Sequence, residues 1–203
     1  MANWTTDEAR VLKKLSTPAK IQSFVNALPF NFVDGNDTCM SPRMVMRTGR
    51  AQCMEGAMFA AAALRFHGHT PMVMDLTATN ADADHVVALF KVDGHWGAIS
   101  KTNHAVLRYR EPVYKTSREL AMSYFHEYFL QSNGKKTLRS FSRAVDLSRF
   151  DAMQWETSEQ PNWIIPEYLS DCPHTPILTA QQIARLRPAD DVELRAGAIV
   201  EWC

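Results

Sequence analysis

The sequence predicts an α+β fold in which N-terminal helices, one of them rich in alanine, pack on an antiparallel sheet. Two stretches carry this expectation. The run Ala57–His67 holds five alanines with Met58, Phe59, Leu64 and Phe66, and contains no helix breaker; alanine is the strongest helix former. Gly68 follows, the residue that best tolerates a left-handed helix exit. Further on, Asp93-Gly94 separates the apolar runs 85–92 and 95–100, a strong short-range hairpin signal.

The N-terminal elements follow from capping and spacing. Thr5-Thr6-Asp7-Glu8 supplies capping groups before Val11, Leu12 and Leu15. Pro18 suits a first helical turn, and Ile21, Phe24, Val25 and Leu28 repeat at helical spacing up to Pro29. The segment 31–42, with Asp34-Gly35-Asn36-Asp37, reads as a loop. Met44-Val45-Met46 is a short apolar segment, and Arg47-Thr48-Gly49-Arg50 reads as the loop before the alanine-rich helix.

Beyond Gly68, residues 71–76 form an expected strand and 77–84 a polar loop. If Asp93-Gly94 is a two-residue turn, Lys91 opposes Trp96 and Val87 opposes Ser100. His85 and Ser100 then share a face as diagonal neighbours, and Asn103 points to the other face unless a bulge shifts it. Residues 109–114 suit an edge strand. Thr116-Ser117-Arg118-Glu119 is a capping-box pattern, with a helix expected from Leu120 to Leu130. Thr179-Ala180-Gln181-Gln182 opens another helix, and 192–202 reads as terminal strand. Residues 151–176, with Trp155 and Trp163, either cover the core or form a pocket wall.

Bulk properties narrow the function. Lys plus Arg and Asp plus Glu are 22 each, so a net charge of zero gives no case for nucleic acid or an anionic membrane. No apolar run is long enough to span a bilayer. The first residues lack the basic start and apolar stretch of a signal peptide, so a reduced, cytoplasmic chain is the expectation. The four cysteines, at 39, 53, 172 and 203, form no CxxC pair, and no zinc site, other metal or cofactor is expected.

Cys53 is the leading candidate for chemistry. It falls at or just before the first helical turn, where free N–H groups and the positive helix end favour an anion such as a thiolate. The bland alternative is a structural cysteine on a core helix. Gly56 and Ala57 leave room for another strand or a substrate. His67 and His69 read as solvent-facing, and Cys172-Pro173-His174 lacks nearby ligands to complete a metal site.

Gln52-Cys53 opening a helix that ends Leu64-Arg65-Phe66-His67-Gly68, followed by Asp84-His85-Val86-Val87 and Asp93-Gly94-His95-Trp96, resembles the transglutaminase-like superfamily, which shares the papain-like cysteine protease fold. The resemblance covers roughly residues 16–104. It implies a papain-like core over about 16–130, an irregular extension over about 131–203, and a single domain. It also implies catalytic roles for Cys53 and His85, with the third position falling on Ser100, where the family usually has Asp. Asn103 is the alternative third member, and Gln52 and Trp96 are oxyanion or cleft candidates. A helix-start thiol paired with an imidazolium is expected to ionise below the ordinary thiol range.

Two functions follow. One is Cys–His acyl transfer or amide hydrolysis on a peptide, a protein side chain or a small amide. The other is an inactive domain that binds a peptide, protein or small ligand in the former cleft.

Overall fold

The computed structural model describes residues 2–32 and 38–202. The expected turn at Asp34-Gly35-Asn36-Asp37 lies outside them. The fold is mixed α+β, with four helices preceding the first strand: α1 (Thr6–Lys14), α2 (Pro18–Ala27), α3 (Pro42–Thr48) and α4 (Cys53–Phe66). Thr5 and Glu8 form a capping box at α1, and Pro18 occupies the first turn of α2. The apolar segment Met44-Val45-Met46 lies inside α3. Ser41 caps this helix, and Gly49 ends it at φ 67°, a conformation that costs glycine little. Arg47 and Thr48 therefore belong to α3 rather than to the loop expected there, and Arg47 pairs with Glu159 at 2.8 Å.

The sheet is antiparallel throughout. Its strands are β1 (Met72–Thr77), β2 (His85–Val92), β3 (His95–Ser100), β4 (Arg110–Tyr114), β5 (Ser140–Ser142), β6 (Val145–Asp146) and β7 (His174–Pro176). The order is β4-β3-β2-β1-β5-β7, with β6 also on β1. The β2–β3 hairpin has the register counted from its turn: Val92↔His95, Lys91↔Trp96 and Val87↔Ser100.

Strand alternation builds two cores. Val86, Ala88 and Phe90 of β2 and Ile99 of β3 join the cluster around α4. Val87, Leu89 and Ala98 join a second cluster with Leu120, Tyr124, Phe125 and Tyr128. The α4 helix is buried all round, with Ala57, Ala60, Ala61, Ala62 and Ala63 fully covered. Alanine is small enough for helices and strands to approach from every side. Lys101, fully buried, crosses the first turn of α4 at Gly56, where an added Cβ would overlap its stem. Its ammonium donates to the Leu28 carbonyl at the end of α2. Burial lowers the pKa of this amine to about 8.

Two C-terminal elements differ from expectation. The helix expected over 120–130 ends early: α5 spans Ser117–Ser123, a single 3-10 turn follows at Phe125–Glu127, and Tyr128 is extended. Leaving the helix lets Tyr128 donate from its hydroxyl to the Ala83 carbonyl at 2.6 Å, and lets Phe129 pair with Lys136 across Asn133-Gly134. Next, α6 (Ile164–Asp171) and a short α7 (Ala180–Ile183) precede α8 (Asp191–Gly197). The terminal strand expected over 192–202 is thus mostly helix. Asp190 and Glu193 form the capping box that starts it, an Asp-x-x-Glu signal present in the sequence. Only the segment beyond Gly197 is strand-like: Val200 bridges His104, and Ala105 N–H donates to Ile199.

Candidate functional site

Cys53 is the first residue of α4. Its helix start is fixed by Glu55, a fully buried carboxylate that sequence reading passed over. Oε1 accepts from Thr38 Oγ1 at 2.6 Å and Met40 N–H at 2.9 Å. Oε2 accepts from Asn31 Nδ2 at 3.1 Å and Gln52 N–H at 2.9 Å. Four donors satisfy the charge in place of water. The readable signal was a glutamate three residues after the helix cap.

The thiol is half-buried, and its hydrogen bond goes to Gln52 Oε1 at 3.6 Å. Gln52 Nε2 donates to the Thr38 carbonyl at 2.7 Å, so one of its two amide protons is already committed. Burial pushes the Cys53 pKa up, and the negative charges of Asp75 and Glu55 add to that. The backbone N–H groups of Val86 and Met54 face the sulfur and act in the opposite sense. The sulfur therefore lies against the peptide that joins His85 to Val86.

His85 begins β2 and is buried. It has the parity of Val87 and Leu89, the sheet face away from α4, but its place at the strand end lets it line the cavity that Cys53 also lines. Its Nε2 lies 2.7 Å from Ser100 Oγ. The Ser100 hydroxyl proton goes to the Leu107 carbonyl, so Ser100 Oγ must accept from His85 Nε2–H. This fixes the tautomer and leaves the Nδ1 lone pair without a hydrogen bond among the described residues. Leu107 is set for this by a φ of 59°, and its N–H donates to Glu127 at 2.7 Å. Burial, and then the charge of Arg110, lower the His85 pKa to about 4. These shifts run opposite to those a preformed ion pair needs. The expected low thiol pKa is thus reversed in the resting site, which holds a neutral thiol and a neutral imidazole.

Asn103 is engaged elsewhere. Its Nδ2 donates to the Trp202 carbonyl and its Oδ1 accepts from Trp202 N–H, both at 2.9 Å. It lines the cavity, but the ring's hydrogen bond is to Ser100. Trp96 lines neither cavity around Cys53; it packs beneath the Lys91 ammonium, 4.1 Å from the ring centre.

Two cavities meet at Cys53. The larger, about 450 Å³, is walled by His85, Phe30, Phe32, Tyr128 and Leu107. The smaller, about 240 Å³, is walled by Gln52, Asp75, Val86, Trp163 and Leu169. Cys53 and Asp84 are the two residues common to both walls. Among the described residues, no group of three or more His, Cys, Asp or Glu side chains is placed to hold a metal. Among the same residues, no helix is long and apolar enough to cross a membrane.

Comparison of the sequence with protein-family models and with curated proteins finds no match to either.

Proposed function

We propose that the chain is a cysteine-dependent acyl-transfer enzyme or amidase of transglutaminase-like type, with Cys53 as nucleophile and His85 as base. The observation that carries this reading is the His85–Ser100–Leu107 relay, which holds the ring by Nε2 and leaves Nδ1 without a hydrogen bond among the described residues, in the wall of a cavity that Cys53 also lines. Since thiol and imidazole both rest neutral, the thiol proton passes to Nδ1 as sulfur attacks the acyl carbonyl. A carbon–sulfur bond forms, and the carbonyl oxygen takes the negative charge. The Cys53 N–H at the start of α4 and the remaining Gln52 amide proton are the donors suited to that oxygen. Collapse breaks the carbon–nitrogen bond, and His85 returns the proton to the leaving amine. Water or a second amine then releases the thioester in the reverse order.

The second reading, a binding domain in which the chemistry is lost, draws on Ser100. A hydroxyl orients the ring but supplies no charge to stabilise an imidazolium. Incubation with an activated ester, followed by peptide mass analysis, separates the two. The enzyme reading expects an acyl group on Cys53 that turns over, is absent from Cys53→Ala and forms far more slowly in His85→Ala. A wild-type protein that is never acylated at Cys53 favours the binding domain.

A further inference from the structure

The smaller cavity enters the scheme above only through Cys53 and Gln52 in its wall. Its charged wall is of one sign: among the described residues Asp75 and Asp84 line it, and no Lys, Arg or His does. Asp75 belongs to β1, and its side chain is only 7% exposed. One oxygen, Oδ2, is taken by His174 Nε2 at 3.1 Å and Thr77 Oγ1 at 3.3 Å. The other, Oδ1, is buried without a partner among the described residues, a costly state for a carboxylate oxygen. Asp84 is exposed, with Oδ1 accepting from Ala78 N–H at 2.7 Å. Trp163, 41% exposed at the start of α6, lines the same cavity with an aromatic face of the kind that attracts cations.

We infer that this second cavity is a subsite for a positively charged group of the substrate, an alkylammonium, held by the Asp84 and Asp75 carboxyl groups and the Trp163 ring in its wall. This rests on the reading of Cys53 as the acylated residue, because Cys53 stands in the wall of this cavity as well as the first. The cavity's volume suits a linear chain of a few carbons. The electrostatics agree: burial and then the nearby Asp84 raise the Asp75 pKa, and Asp75 raises that of Cys53. A cation held there offsets both effects and favours the thiolate when substrate arrives.

The probe is butylammonium chloride, titrated by NMR into the Cys53→Ala protein so that binding is read without turnover. Saturable binding is expected, at least tenfold tighter than that of 1-butanol. Asp84→Asn is expected to weaken it at least tenfold and Asp75→Asn several-fold. Because Asp84 is exposed, its variant tests the subsite even if Asp75→Asn fails to fold. Equal affinity for 1-butanol, or unchanged affinity in the folded aspartate variants, overturns the proposal. With wild-type protein and p-nitrophenyl acetate, two sources of the cation separate. N-Butylacetamide forms if the cation is the incoming amine: the ammonium first loses one proton to solvent, the neutral nitrogen then takes the acetyl carbon from sulfur, and its second proton passes through His85 to the departing thiolate. Competitive inhibition without that product places the cation on the acyl donor. If Cys53 is never acetylated, the enzyme reading fails, while the titration still decides the subsite.

Discussion

Ser100 holds His85 by the Nε2 edge of its ring, 2.7 Å away, while handing its own proton to the carbonyl of Leu107. A hydroxyl in this position can direct the imidazole but supplies no charge to stabilise an imidazolium. Ser100→Ala removes the acceptor, so the ring loses its preferred tautomer. Nitrogen NMR of His85 is expected to change from a single Nε2–H form to a mixture, with acylation of Cys53 slowed about 10–100-fold, less than the loss when a triad carboxylate is neutralised.

Activity and stability should both follow the low pKa of His85. The base is already neutral above about pH 4, so the acid limb of the acylation rate is expected near pH 4 and not near 6.5. For stability, the unfolded chain binds a proton on this histidine below about 6.5, and the folded chain only below about 4. Between those values unfolding takes up a proton, so stability rises with pH through this window and is lost as pH falls through it. The full contribution is about 3 kcal/mol. Chemical denaturation at pH 4.5 and 7 should show this slope in the wild type and a shallower one in His85→Gln.

The resting thiol is expected to behave as a buried one. Alkylation of Cys53, resolved by peptide mass, should keep rising above pH 9 because burial raises its pKa. A plateau near neutral pH would show that a thiolate–imidazolium pair exists without substrate, and the account of the neutral site would be wrong.

Sequence reading went furthest where local rules decide the outcome. The Asp-Gly turn set the register that brings Ser100 to His85, and alanine content placed α4. It fell short where distant chain decides. Lys101 over Gly56, the donors converging on Glu55 and the grip of Asn103 on Trp202 join segments far apart in sequence. No periodicity encodes them. The end of α5 was missed for a similar reason: Tyr128 leaves the helix to reach Ala83. The cap of α8 was legible in Asp190 and Glu193 but was outweighed by the apolar residues that follow.

Glu55→Gln should unsettle the nucleophile's helix start. The amide puts a donor where the carboxylate accepted from Asn31, Thr38, Met40 and Gln52. A loss of about 3 kcal/mol is expected, seen as a melting temperature lower by roughly 10 °C. A shift within the error of the measurement would mean that the loop reorganises freely.

Gly56→Ala tests the close approach of Lys101 to α4. The added methyl must displace a fully buried stem, with an expected cost of about 1–3 kcal/mol in spite of alanine's better helix propensity. Thermal melts of the two proteins decide it, and a stabilised variant would show that Lys101 moves aside without penalty.

The neutral resting thiol also bears on chemical durability. Peroxide oxidises cysteine through its thiolate, and the first product leads on to acids the cell does not reduce. Burial that holds Cys53 in the protonated form slows the first of those steps while the site stands idle. On the proposed role, Cys53 becomes an anion only in the presence of substrate, and is then exposed to oxidants for the length of a turnover and not for the lifetime of the protein.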